Sequence, residues 1–251
     1  MNAETKSPIT TEFQHRGISP SRLEGFSDAV FGFALTLLVV SLEVPKTFEE
    51  MRNLLKSVPA FAISFTLLVM IWRQHAIFFR RYGLDTPYIV FLNSVLLFLV
   101  LLYIYPLKFL FSILVKLYSG AGVMIRGADG VAVPAISTQD MPMLMIIYGL
   151  GYGAVCFVFV LMHLHASKLR TTLQLNELEI HDTNTAIQIN LIMLISSLIS
   201  VGLACTRFNW ASAASGFTYP FLMAPTLMIY GILRGRQRSK MEEQWKAQSS
   251  A

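Results

Sequence analysis

Six apolar runs, each near the length that crosses a hydrocarbon layer, constrain this chain more than any other feature. They lie at about residues 26–44, 58–79, 88–107, 143–164, 186–206 and 217–233. A helix needs about 20 such residues to span ~30 Å of lipid tails, and in lipid every backbone amide must find its partner within the segment. The runs therefore predict an all-α, polytopic membrane protein with six transmembrane helices, one six-helix unit per chain. Composition agrees: 54% of the residues are hydrophobic and only 14% charged. That balance excludes a disordered chain and argues against a water-exposed enzyme.

The polar stretches divide the chain. Residues 1–21 have no apolar core and no cleavage site, so they read as a mobile arm rather than a secretory signal. Residues 22–234 hold the six-helix transmembrane domain and 235–251 a basic tail. The small and turn residues of 119–140 predict a loop, the polar stretch 165–185 a solvated linker with Glu177, Glu179, His181 and Asp182, and Pro220 and Pro225 a kinked or short sixth span. Residues 109–117 either prolong the third helix or turn at the interface. No internal repeat is visible.

An even number of spans places both termini on one side. Thirteen lysines and arginines fall on that side and six on the other, with Lys108 unassigned. The bias predicts cytoplasmic termini. The net charge of +5 then reflects topology and lipid headgroups, with no nucleic acid as partner. Cys156 and Cys205 both sit in apolar runs and read as buried thiols, with no disulfide or zinc site. His163 and His165, two apart, do not share a helix face and read as interfacial. No Ser–His–Asp arrangement, nucleotide loop or paired intramembrane carboxylates occur, so neither an enzyme, a metal site nor a cofactor is expected.

The polar residues inside the apolar runs carry the information. Asp28 lies about a turn inside the first run, where a carboxylate costs several kcal/mol unless paired or hydrated. Arg22 just before it, His75 near the end of the second run and Asn93 near the start of the third fall at similar depth. They converge as a polar knot that fixes the first helix, as a proton site, or as separate residues reaching for water.

The segment from Arg22 to Asp28 reads Arg-x-x-x-Phe-Ser-Asp, followed by Thr36-Leu37-Leu38, then Trp72-x-x-His75, Leu92-Asn93 and Pro106. This combination resembles the transmembrane protein 175 family, the lysosomal potassium channels and their bacterial relatives, over the first ~110 residues; beyond that only hydropathy and span count agree. The resemblance implies a potassium-permeable cation channel in a bacterial inner membrane. It implies a homotetramer of single six-helix units, with the first helix lining a central pore that has no carbonyl filter. It assigns the pore constriction to Phe33, Leu37 and Val40, a near-pore hydroxyl to Thr36, and a structural polar network to Arg22, Ser27, Asp28, His75 and Asn93. Helical spacing independently puts Phe33, Leu37 and Val40 in one stripe, extended by Ala29 and Val44. Where the family carries Ile or Leu at the narrowest ring, this chain has Phe33, which predicts a bulkier, drier neck. Glu43 is positioned to enrich cations at the outer mouth. A proton-coupled transporter and a non-conducting scaffold are the rival readings.

Overall fold

The computed structural model describes residues 13–17, 19–40, 44–118, 124–126, 132–134, 136–137, 139–206 and 211–250. The helices are α1 (Arg22–Val40), α2 (Phe48–Tyr82), α3 (Pro87–Tyr118), α4 (Met141–Lys168), α5 (Glu177–Cys205), α6 (Ala211–Thr218) and α7 (Ala224–Ser250). Six stretches are long and apolar enough to cross a membrane, the sixth running from Ala214 to Trp245 through α6 and α7. Within the expected loop at 119–140, β1 (Met124–Arg126) and β2 (Ala132–Pro134) pair antiparallel, Ile125 opposite Val133. The residues around this ladder lie outside the described residues, as does Glu43.

Local chemistry accounts for the helix ends. Thr47 opens α2 and Asn176 opens α5 with reciprocal capping boxes to Glu50 and Glu179. Gly83 closes α2 in the left-handed region, φ 59°, where a side chain would be strained. The two prolines of the last span do not end it. A π-helical turn, Tyr219–Met223, joins α6 to α7. Pro220 has no amide proton to give, and a wider turn absorbs the lost rung.

Two apolar cores hold the bundle. One gathers Phe78, Phe79 and Tyr82 of α2, Ile89, Leu92 and Leu96 of α3, and Val155, Val158, Phe159 and Met162 of α4. The other packs Phe31, Ala34 and Leu38 of α1 against Leu68 of α2 and Leu97, Val100 and Ile104 of α3. Helix α5 lies chiefly on α4, where Gly149 and Gly153 bring the backbones close to Val201 and Ser197.

Several expectations are corrected. The supposed mobile arm is fixed over 13–17: Phe13 is buried in the first core and Arg16 pairs with Glu179. The 165–185 linker is mostly helix, because α4 continues to Lys168 and α5 begins at Glu177. Glu179 is not solvated but 1% exposed, its charge matched by Arg16. Of the two alternatives for residues 109–117, the one realised is a prolonged α3, whereas the basic tail continues α7 as helix to Ser250. His163 is buried between Phe78 and Tyr82 rather than interfacial, and donates from Nδ1 to the Phe159 carbonyl at 2.8 Å. Cys156 is buried as expected, whereas Cys205, in the last turn of α5, is exposed.

The described residues ahead of α1 and helix α7 both reach the start of α5. Arg16 reaches Leu173, Gln174 and Glu179. From α7, Arg234 bonds Thr185 and the His181 carbonyl, and Arg238 pairs with Asp182. An even number of spans produces this placement.

Candidate functional site: the first helix and its polar anchor

Helix α1 has two unlike faces. Ser27, Phe31, Ala34 and Leu38 are buried against α2 and α3. Their spacing of four, three and four residues makes a single stripe. On the opposite side lie Ala29, Phe33, Thr36 and Val40, all exposed in the protomer. Phe33 is 56% and Val40 70% exposed; Leu37, at the flank, is half-buried. Thr36 turns its hydroxyl back to the Gly32 carbonyl at 2.9 Å, which uses the hydroxyl proton and leaves the oxygen's lone pairs as acceptors.

The anchor sits behind this face. His75 Nε2 lies 2.8 Å from Asn93 Oδ1, Asn93 Nδ2 donates to Ser27 Oγ at 2.8 Å, and Ser27 Oγ donates to the Leu23 carbonyl at 2.8 Å. All three side chains are buried. The direction of donation is set along the chain. Because the Asn93 amide nitrogen faces Ser27, its oxygen must accept, so the His75 proton resides on Nε2. Its Nδ1 is then a bare acceptor, buried and without a partner among the described residues. The Phe31 and Phe79 rings, 5.5 and 4.7 Å from the imidazole by centroid, confine it. The bonds lock α1, α2 and α3 together at one level, and leaving any member unpaired in this apolar setting is costly.

The other two expected members stand apart. Asp28 is exposed and accepts from the Trp72 indole Nε1–H at 2.8 Å. That bond gives α1 a second tie to α2. Arg22 is exposed and forms no hydrogen bond or ion pair among the described residues. The expected five-residue network is thus a buried trio, Ser27–Asn93–His75, and a separate Asp28–Trp72 pair. Trp72 was a motif residue without an assigned role, yet it lies three positions before His75, on the same face of α2. Glu179 was misread as solvated, and residues missed entirely are its partner Arg16 and Gln74, whose amide donates to Asn190 Oδ1 at 2.9 Å. The Asn176-x-x-Glu179 capping pattern was the signal available for Glu179. Among the described residues no group of three or more His, Cys, Asp or Glu side chains could hold a metal ion.

Comparison with known proteins bears on this arrangement. The family model described as endosomal/lysosomal potassium channel TMEM175 matches residues 22–103, which contain α1 and both of its ties. A potassium channel of Marivirga tractuosa is 39% identical over 242 residues, 95% of this chain and 97% of the relative. A potassium channel of Chamaesiphon minutus is 30% identical over 102 residues, 38% of this chain and 50% of that one. Among solved structures, an alanine variant of the potassium channel MtTMEM175, bound to a nanobody–MBP fusion, superposes with a TM-score of 0.78 at 38% identity, covering 91% of this chain and 99% of that one. The TMEM175 homologue from Chamaesiphon minutus shares the fold, with a TM-score of 0.52 at 20% identity over 85% of this chain and 96% of that one. With 39% identity to one of its channels over nearly the full length of both chains, and six helices apolar enough to span a membrane, the chain belongs to the TMEM175 family of potassium channels and is an integral membrane protein.

Proposed function

We propose that the chain conducts potassium passively, with other monovalent cations also admitted, through a pore formed where α1 helices of four copies meet. Both termini lie in the cytoplasm and the protein resides in a bacterial inner membrane. The observation that carries this reading is the outward face of α1: Phe33 and Val40 are exposed on a helix whose polar ties to α2 and α3, through Ser27 and Asp28, leave from other sides. A face so apolar needs either lipid or other copies of itself. Family membership favours copies.

In this arrangement the rings of Phe33, Leu37 and Val40 form a neck that offers an ion almost nothing in exchange for its water, so the barrier is one of dehydration. Thr36 lies between the first and third rings and supplies a hydroxyl oxygen as partial replacement. The Ser27–Asn93–His75 trio and the Asp28–Trp72 bond set the tilt and rotation of α1, so that these rings share an axis. Arg22 on the outer face stands where it can meet a neighbouring copy.

The test is potassium flux into liposomes holding the purified protein. Phe33→Ala replaces four rings with four methyl groups and is expected to raise the initial rate several-fold while the assembled particle elutes unchanged. Equal rates for Phe33→Ala, Val40→Ala and the parent protein would place the barrier elsewhere. Absence of flux in all three would overturn the channel reading for this chain.

A further inference from the structure

The strap ahead of α1 is held more firmly than the link that joins it to the helix. Phe13 is buried edge-on against Tyr82, ring centroids 5.5 Å apart, and the Arg81 guanidinium lies 4.7 Å from its ring. Arg16 grips Glu179 with both arms of its fork: Nη1 donates to Oε1 at 3.0 Å and Nη2 to Oε2 at 2.8 Å. Its Nε donates to the Leu173 carbonyl at 2.7 Å, and the Gln14 amide donates to Glu179 Oε1 at 2.8 Å. Gly17 N–H reaches the Arg80 carbonyl, and a Cβ there would sit 2.7 Å from the Phe79 carbonyl oxygen. A buried, bidentate, charge-assisted pair of this kind fixes geometry as well as adding energy.

Beyond Gly17 the packing changes. Two open clefts, of about 220 and 200 Å³, flank the chain where it approaches α1. One lies between Pro20, Glu24 and His75, the other between Ser19, Ser21 and Asp85. At its far end this link is rigidly coupled to the helix: the Ser21 amide donates to Glu24 Oε1 at 3.0 Å and the Glu24 amide to Ser21 Oγ at 3.2 Å. Only residues 18–21 separate the anchor from the helix, and four residues reach at most about 14 Å. The start of α1 is therefore leashed to the start of α5, although α1 itself packs on α2 and α3.

We infer that Arg16 and Glu179 are positioning residues for α1: their pair fixes the point from which the helix departs, and through it the alignment of Phe33, Leu37 and Val40. The inference rests on the proposed pore role of α1 and adds to it a control point remote from the neck. The effect of the pair travels through a short link with open clefts beside Ser19, Pro20 and Ser21, so its loss displaces the helix start without opening the apolar cores.

Full-length Arg16→Ala, Arg16→Lys and Phe13→Ala proteins test this, with backbone amide exchange over residues 22–30 and potassium flux per assembled channel measured on the same preparations. Arg16→Ala is expected to speed exchange in that stretch about tenfold relative to the rest of the bundle. Flux should fall about three- to thirtyfold with elution unchanged. Arg16→Lys keeps the charge but not the fork, and should fall between it and the parent. If Arg16→Ala does not fold, Arg16→Lys and Phe13→Ala carry the same readouts. Exchange that rises uniformly across the bundle, with flux per channel intact, overturns the inference and makes the strap a stabiliser only. Unchanged exchange and flux in Arg16→Ala and Phe13→Ala also overturn it. A parent protein that passes no ion, while exchange over 22–30 still rises, overturns the channel reading and supports the leash.

Discussion

Helices α4 and α1 look alike as strings of apolar residues and behave differently in the fold. Half of the most apolar stretch of α4 is buried within the protomer, against 22% for α1. The glycines show why. A Cβ on Gly149 would lie 2.5 Å from Val201 Cγ2, one on Gly153 2.5 Å from Ser197 Oγ, and one on Gly151 1.9 Å from the Tyr103 ring. Each glycine of α4 is a place where a neighbour presses on the backbone, as close helix approach in membranes requires. On α1, a Cβ on Gly25 or Gly32 would meet nothing within 4 Å. Hydropathy cannot separate a helix with half of its surface held by neighbours from one with most of it left over. What lies opposite the small residues can.

The two helices are also fastened by different means, and substitutions can expose this. The largest effect is expected where α1 depends on polar bonds rather than on fit. Asn93→Leu removes both bonds of the buried trio at once, leaving His75 Nε2–H without its acceptor and Ser27 Oγ without its donor. The expected cost is about 3 kcal/mol, read as a lowered unfolding temperature in detergent. A temperature equal to that of the parent would mean that packing of Phe31, Ala34 and Leu38, with the Asp28–Trp72 bond, suffices to hold α1. Next comes the fit of α4. Gly151→Ala drives a methyl group into the Tyr103 ring, whose hydroxyl donates to the Ile147 carbonyl at 3.0 Å and cannot withdraw without losing that bond. A loss of about 2 kcal/mol is expected from such overpacking. No loss would show that α3 and α4 part easily, and would erase the contrast with α1.

How much of this could be read beforehand differs by element. The six spans were visible because a lipid-crossing helix must be apolar throughout, a demand written in consecutive residues. His75 and Asn93 were visible for the complementary reason: polar side chains in such runs stand out, and topology sets their depth; Ser27 came in only through the family resemblance. The depth argument could not choose partners. Arg22 and Asp28 share that depth, yet Asp28 bonds Trp72 and Arg22 has no described partner. The choice depends on helix rotation, which follows from packing. Glu179 escaped because a polar stretch between spans resembles a solvated linker. Its burial needs Arg16, 163 residues earlier in the chain, and no local pattern joins the two.

The smallest effect discriminates most sharply, because it repeats one chemical change on the other helix. Gly32→Ala adds to α1 the methyl group that Gly151→Ala adds to α4. In the protomer that methyl meets nothing within 4 Å beyond its chain neighbours and the backbone of its own helix, so only backbone preference is left, and alanine is favoured over glycine within a helix by about 1 kcal/mol. The unfolding temperature of the dissociated protein should rise slightly, opposite in sign to Gly151→Ala. For the assembled particle the outcome depends on what covers the face. Fluid lipid chains yield to a methyl group, so a lipid-covered face keeps the gain. A facing helix packed at backbone distance does not yield, and the assembled fraction then falls while the protomer stays folded. Loss of assembly without loss of folding is the outcome expected of four α1 helices around one axis, and a gain in both would turn this face toward lipid.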